Sequence, residues 1–272
     1  MKTRTVLALM AALTVAAGCS RNPEKKYLVI YYSQTGATRQ VAYELAGMLD
    51  ADTVRIDVEQ PYDGTYQETI ERCRREMADG EIPALKEGLK VDLSRYDTVF
   101  LGYPIWFGTY APPVAALIKE YDFAGKKIVP FCTFGSGGLG VSIENLKKAL
   151  PQAEILPGYG VRNARVGKAH GELERFLTAN GFLDGEVEPL PEYSEQQPVT
   201  PEEAAIFNAA CGNYQYPLGT PVTAGKRQTS SGTDYCFKAR SKGPDGGDIM
   251  ATIYVTVGIE EGAVPEFTEV VR

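Results

Sequence analysis

The chain has 272 residues, of which 44% are hydrophobic, and a formal net charge of −7. This length and apolar content predict packed cores and room for two domains. The acidic balance argues against nucleic acid as a partner, and a single histidine gives no basis for a histidine-rich metal site, so no metal is expected.

Residues 1–18 resemble an export signal. Two basic residues precede an apolar run over residues 6–17, which is too short for a comfortable membrane span. The run ends in small residues before Cys19, as in the lipobox of bacterial lipoproteins. The resemblance implies lipidation of Cys19, a polar tether over residues 19–26, and a place on the periplasmic side of the outer membrane, since Ser20 rather than Asp follows. An uncleaved anchor helix is the alternative.

From residue 27 to about 181, apolar runs alternate with amphipathic stretches. The predicted strands cover residues 27–32, 53–58, 98–102, 127–133 and 153–156. The predicted helices cover residues 38–49, 65–77, 113–120, 142–150 and 168–180. This alternation is typical of a parallel sheet covered by helices on both faces, in which buried strands are continuous apolar runs. We therefore predict an α/β domain over residues 27–185.

The loop after the first predicted strand carries hydroxyls and a glycine. A helix that follows a parallel strand begins with unpaired backbone N–H groups and a partial positive charge, which favour an anion. Hydroxyls add donors, and glycine permits a tight turn and close approach of the backbone. The loop predicts a phosphate site, with a simple helix cap as the alternative. Its residues are Ser33, Gln34, Thr35, Gly36, Ala37 and Thr38.

The next two strand ends carry aromatic and small residues. Large aromatic side chains in an exposed loop indicate contact with a flat ligand, and small residues suit close backbone approach. The carboxyl ends of parallel strands lie at one edge, so the three loops predict one crevice. The second loop has Pro104, Ile105, Trp106, Phe107 and Gly108, and the third has Thr133, Phe134, Gly135, Ser136, Gly137 and Gly138.

Together these motifs resemble the flavodoxin family, and within it the flavodoxin-like domains of bacterial lipoproteins. The resemblance implies a doubly wound, five-stranded parallel sheet that binds FMN non-covalently. Residues 33–38 would surround the phosphate, residues 104–108 one edge and face of the isoalloxazine, and residues 133–138 its other side. It implies electron transfer with a redox partner protein. Because the second and third loops carry no charge, a reductase of quinones or other flat acceptors is the alternative.

Beyond residue 185 the pattern changes. Residues 186–199 have no apolar period and are rich in Glu, Pro and Gln, which predicts a linker. Thr200 and Glu203 predict a capping box that opens a helix, and strands follow near residues 221–228, 234–241, 249–258 and 266–271. We predict a small α+β domain over residues 200–272, a helix on an antiparallel meander.

Residues 228–239 resemble the first hairpin of cystatins, with Ser230 in place of that family's valine. A binding or cysteine-protease-inhibitor-like module, with the first domain as a scaffold, is therefore a second function class. Cys211 and Cys236 lie in this domain, and oxidising conditions outside the cytoplasm favour a disulfide between them. Flavin binding is expected not to depend on that disulfide. Cys132 is interpreted as a buried strand residue rather than a redox group.

Overall fold

The computed structural model describes residues 27–243 and 246–272, so the predicted signal, the tether and Cys19 lie outside the described residues. Within those two ranges, no helix combines the length and the apolar character that a membrane crossing requires. The first domain contains β1 (Tyr27–Tyr31), α1 (Ala37–Leu49), β2 (Asp52–Arg55), α2 (Tyr66–Asp79), β3 (Thr98–Trp106), β4 (Thr109–Tyr110), α3 (Pro112–Glu120), β5 (Lys127–Phe134), α4 (Gly140–Ala149), β6 (Glu154–Ile155), β7 (Tyr159–Arg162) and α5 (Ala169–Ala179). The second contains β8 (Gln197–Pro198), α6 (Pro201–Cys211), β9 (Thr220–Thr229), β10 (Gly232–Lys242), β11 (Asp248–Gly258) and β12 (Glu266–Val271).

The first sheet has the order β2-β1-β3-β5-β6, and these strands are parallel. Its two faces build separate cores. Leu28 and Ile30 point to the face covered by α3 and α4, whereas Val29 points to the face covered by α1 and α5. Each fully buried aliphatic side chain contributes about 1.5–3 kcal/mol, so a strand buried on both faces needs consecutive apolar residues. The predicted doubly wound α/β fold is confirmed.

The fifth strand position is split. β6 pairs with the start of β5 and β7 with its end, and between them lie Pro157, which has no N–H donor, and Gly158. A Cβ on Gly158 would lie 2.9 Å from the Pro130 carbonyl oxygen, so glycine allows the two chains to approach closely. The sequence predicted only residues 153–156 of this strand and missed β7, which carries the chain to Arg162 at the edge of the crevice.

The second sheet is antiparallel, in the order β12-β11-β10-β9-β8, with α6 on one face. The predicted capping box is present: Glu203 N donates to Thr200 Oγ1 at 3.2 Å, and Thr200 N donates to Glu203 Oε2 at 3.0 Å. Phe207 of α6 packs edge-on against Phe237, with ring centroids 5.2 Å apart. The helix on a meander is confirmed, and the end of the predicted linker adds β8 to the edge of this sheet.

The predicted disulfide is wrong, because Cys211 and Cys236 are both free. Cys211 lies in the core beneath α6, where Phe237 also packs. Successive strand residues point to opposite faces, so Cys236 faces away from the helix and its thiol contacts Tyr254 and Gln196. The sheet separates the two sulfurs. Burial raises the pKa of Cys211 to about 12, which keeps its thiol protonated.

Candidate functional site

The predicted loops follow β1, β3 and β5 at one edge of the first sheet. Tyr31 is in register with Gly102, and Pro104 with Thr133, so the three strands deliver their carboxyl ends side by side. Thr38 Oγ1 and Thr133 Oγ1 lie 2.9 Å apart, which joins the first and third loops directly. The structure therefore brings these sequence-predicted residues together in one place.

The first loop leaves the start of α1 available to a ligand. Gly36 is the N-cap residue in the left-handed region, at φ 99°, so the N-cap position itself has no side chain, and no acid lies in the first turn of the helix. Ser33 Oγ accepts a hydrogen bond from Arg39 N at 3.1 Å, so its own hydrogen can be donated to a second partner. Thr35 is exposed beside them. The arrangement presents N–H and O–H donors to an anion.

Thr38 has a different role from Thr35. Thr38 and Thr133 are each 1% exposed, and their hydroxyls are hydrogen-bonded to each other. A hydroxyl pair inside the protein fixes the distance between the loops that carry it, and removing one partner would leave the other unsatisfied. The main role of Thr38 is therefore to hold the first loop against the third loop. The Gln34 side chain is also fixed by a hydrogen bond inside the protein, because Tyr32 OH donates to its Oε1 at 2.6 Å.

The second loop is a tight hairpin. β3 continues to Trp106, four residues beyond the predicted end, and Trp106 pairs with Thr109 across a two-residue turn. Both turn residues have positive φ, 49° at Phe107 and 78° at Gly108, as a type I′ turn requires. An aromatic residue rarely adopts this backbone conformation. Phe107 does so here and is 48% exposed, so the turn presents an aromatic ring to solvent beside the crevice.

Behind the hairpin stands a wall of aromatic rings. Trp106 contacts Tyr32 and Tyr62 edge-on, at centroid distances of 5.9 and 5.1 Å. Tyr62 OH donates to the buried Glu76 of α2, and the Arg72 guanidinium lies 3.9 Å from the Tyr62 ring. Burial, reinforced by the Glu76 hydrogen bond, raises the pKa of Tyr62, so it stays protonated. Sequence reasoning missed Glu76 and Arg72.

The thiol of Cys132 and the phenol of Tyr103, near the ends of β5 and β3, are both buried. Cys132 is fully buried, and that burial raises its pKa to about 12. Burial also raises the pKa of Tyr103, whose hydroxyl lies 3.4 Å from Ser142 Oγ. Both groups are neutral at physiological pH, which agrees with the interpretation of Cys132 as a structural residue.

The third loop is held from outside by two elements. Arg162, at the end of β7, donates from Nε to the Gly135 carbonyl oxygen at 2.7 Å. Val270 N, in β12 of the second domain, donates to the Ser136 carbonyl oxygen at 2.9 Å. Gly138 has φ 63°, and a Cβ there would overlap the Glu269 carboxylate. No pattern in the sequence indicated these contacts. Those of Val270 and Glu269 join segments more than 100 residues apart, and that of Arg162 comes from a strand that the sequence did not predict.

Comparison with known proteins identifies a family and several similar structures. The model of a family described as flavodoxin matches residues 26–176. A structure from Bacteroides uniformis, assigned as a flavoprotein, is 29% identical, with 55% of this chain and 97% of that chain covered and a TM-score of 0.50. One from Bacteroides eggerthii, also assigned as a flavoprotein, is 30% identical, with coverages of 55% and 98% and a TM-score of 0.47. A flavoprotein from Lactobacillus acidophilus in complex with FMN is 21% identical, with coverages of 53% and 97% and a TM-score of 0.46. No curated protein matches the chain.

Proposed function

The chain belongs to the flavodoxin family, and from that premise we propose that it binds FMN at the edge where its three loops meet and acts as a redox protein. The observation that carries the proposal is the start of α1, where the N-cap residue is a glycine without a side chain. A phosphate dianion needs several hydrogen-bond donors, and Ser33, Thr35 and the first N–H groups of α1 supply them without a competing acid in the first turn.

The remaining loops fit a flat, partly polar ring. Trp106 and Phe107 offer aromatic surface on one side, and residues 135–138 offer backbone with little side chain on the other. When bound, FMN would supply the one- or two-electron chemistry. The protein's own residues would hold the phosphate and orient the ring. Tyr103 and Cys132, which are in register near the ends of β3 and β5, are buried and do not contact water.

We propose two classes of electron acceptor. A redox partner protein fits a family of electron carriers. A quinone or another flat acceptor is the second candidate, because the ring of Phe107 is exposed and the second and third loops contain no charged residue of their own. Steady-state reduction of a soluble quinone with a chemical electron donor separates the two: turnover by the isolated protein supports the reductase, and flavin reoxidation only with a partner protein supports the carrier.

The only tryptophan of the chain gives a direct test of FMN binding. We expect FMN to quench Trp106 emission strongly during titration of the purified protein, since a ring in contact with the flavin transfers its excitation to it. Trp106→Phe should keep the flavin absorbance and lose the quenching signal, which makes it the control. Full Trp106 emission in the flavin-loaded protein would contradict contact, and absence of bound FMN at tens of micromolar would refute the proposal.

Attachment to a membrane is proposed from the sequence alone. The small residues before Cys19 support lipidation of its thiol and retention of the protein on the periplasmic side of the outer membrane. We expect the wild-type protein in the membrane fraction and Cys19→Ser in a different fraction or unprocessed. Identical fractionation and processing of the two would contradict the lipid anchor.

A cysteine-protease inhibitor gains no support from the first hairpin of the second domain. That hairpin turns at residues 230–231, where an inhibitor of this kind would need a free tip. Ser230 Oγ instead accepts a hydrogen bond from Arg175 of α5 at 3.3 Å. The hairpin therefore contacts the first domain through its turn. The redox role is the function that the geometry supports best.

A further inference from the structure

The second domain is docked on the third loop of the candidate flavin site. Arg162 donates to both sides of the junction, to Gly135 O through Nε and to Phe267 O through Nη1, each at 2.7 Å. A backbone hydrogen bond from Val270 N to Ser136 O attaches β12 to the loop. The loop is therefore tied at two consecutive carbonyl groups, one of them directly to the last strand of the other domain.

Opposite charges reinforce this junction. Glu266 of β12 accepts from Arg165 at 3.2 Å and from Lys168. The Arg165 side chain is only 16% exposed and also pairs with Glu172 at 2.6 Å, so its position is fixed from within the first domain. The Arg162 guanidinium lies 4.2 Å from the centroid of the Phe267 ring. A partly buried cation between aromatic rings and carbonyl groups indicates a specific contact rather than a loose one.

Two further contacts extend the docking around the crevice. Glu269 lies against Gly138, where any side chain would collide with its carboxylate. On the other side, Tyr66 at the start of α2 interacts with Tyr216 of the second domain. Tyr66 lies four residues after Tyr62 of the aromatic wall. The second domain thus touches both the third loop and the element behind the aromatic wall.

We propose that the second domain is a working part of the flavin site, in which β12 holds residues 135–138 in the shape that receives the isoalloxazine. The ligand part of this inference rests on the proposed function. Fixing the backbone of a residue costs roughly 1–2 kcal/mol of conformational entropy, and a loop with three glycines has much of it to lose. A loop that β12 has already ordered binds its ligand more tightly than a mobile one. Arg162 and Glu266 are then positioning residues.

The experiment compares two identical charge changes in the same domain. Glu266→Lys places a cation against Arg165 and Lys168 and should undock β12. Glu260→Lys makes the same change on an exposed turn without a side-chain partner among the described residues. Hydrogen exchange measured without FMN should become faster at Val270 and residues 135–138 only in Glu266→Lys. The FMN dissociation constant should rise at least tenfold in Glu266→Lys and stay unchanged in Glu260→Lys.

A second variant guards against misfolding. Lys168→Glu combined with Glu266→Lys restores one ion pair and should recover part of the exchange protection and of the FMN affinity. Unchanged exchange in Glu266→Lys, or faster exchange with unchanged FMN affinity, would overturn the inference. If the wild-type protein fails to bind FMN, the proposed function falls, while the exchange measurement still decides whether β12 orders the loop.

Discussion

Hydroxyl groups that are equivalent in the sequence have different environments in the structure. Thr35 and Thr38 both belong to the first loop, yet Thr35 is exposed at the start of α1 and Thr38 is buried against Thr133. An exposed hydroxyl can serve a ligand at no cost to the apo protein, whereas a buried one contributes to its stability. The two threonines therefore separate ligand binding from loop-to-loop attachment.

The first prediction uses this pair. Thr35→Val should weaken FMN binding at least tenfold, because a hydrogen bond to a charged group is worth about 1.5–3 kcal/mol, and should change the free energy of unfolding by less than about 0.5 kcal/mol. Thr38→Val should lower that free energy by about 1–3 kcal/mol, since it leaves Thr133 Oγ1 buried without its partner. Urea unfolding of the apo protein and FMN titration measure the two effects.

A double variant provides the control. Adding Thr133→Val to Thr38→Val removes both hydroxyls, so part of the lost stability should return. Equal losses of stability from Thr35→Val and Thr38→Val would contradict the division of roles.

At the scale of elements, the β3–β4 hairpin places an aromatic residue where the backbone disfavours it. Phe107 and Gly108 both have positive φ, and the pair that best suits a type I′ turn is Asn-Gly. A residue other than glycine in the left-handed region costs roughly 1–3 kcal/mol and is found mainly at functional sites. What this strained conformation provides is the exposed ring of Phe107, with the Arg74 guanidinium 5.5 Å from its centroid.

The second prediction concerns replacement of the Phe107 ring by a side chain that suits the turn better. Phe107→Asn should raise the free energy of unfolding by about 1 kcal/mol, because asparagine tolerates positive φ, and should weaken FMN binding by removing aromatic surface. Phe107→Leu keeps the strain and lacks the ring, so it should weaken binding without the gain in stability. Urea unfolding and FMN titration of both variants decide the point, and a Phe107→Asn protein no more stable than wild type would show that no strain is stored at the turn.

Local patterns predicted the elements well because they depend on neighbouring residues. Apolar runs gave four of the parallel strands and the start of the fifth, and Thr200 with Glu203 gave the start of α6. Two errors have physical causes. Pro157 and Gly158 ended the predicted strand and hid β7. The disulfide failed because chain spacing does not show that Cys236, next to the inward Phe237, points to the other face of the sheet.

For the candidate site, the sequence supplied the loops but not what holds them. Glycines and hydroxyls after apolar runs are a local signal, and the structure brings those residues to one edge. The contacts of Arg162, Glu269 and Val270 with the third loop are long-range, and nothing in the sequence around them differs from ordinary strand ends and surface charges. The linker predicted from composition at residues 186–199 gave no indication of the contacts between the two domains.

For the whole molecule, the junction between the domains contains two carboxylates with opposite electrostatics. Burial raises the pKa of Glu269, which receives no hydrogen bond from any described residue. Burial also opposes charge on Glu266, but hydrogen bonds from Lys168 and Arg165, together with their charges, outweigh it and lower the pKa of Glu266 below the ordinary 4.5. One strand thus carries one glutamate that favours docking when charged and one that favours docking when protonated.

The signs follow from these directions. A lowered carboxyl pKa adds stability that is present above the ordinary value and is lost as pH falls through the lowered one. A raised carboxyl pKa means that the charged form weakens the folded state, so the penalty is present at neutral pH and disappears as pH falls through the raised value. Between the two values Glu269 is protonated while Glu266 is still charged. Docking should therefore be tightest in mildly acidic solution, near the ordinary glutamate value of 4.5.

The last prediction tests both signs with isosteric changes on one strand. At neutral pH, Glu269→Gln should raise the unfolding midpoint, because it removes an unpaired and partly buried charge. Glu266→Gln should lower it, because Lys168 loses its carboxylate partner and Arg165 loses one of two. On acidification the difference between Glu269→Gln and wild type should vanish first, as wild-type Glu269 takes up its proton. The difference for Glu266→Gln should persist to a lower pH, since Lys168 and Arg165 hold Glu266 in its charged form. Thermal unfolding of the three proteins across this range measures the differences, and shifts of the same sign in both variants at neutral pH would contradict the opposed roles of the two glutamates.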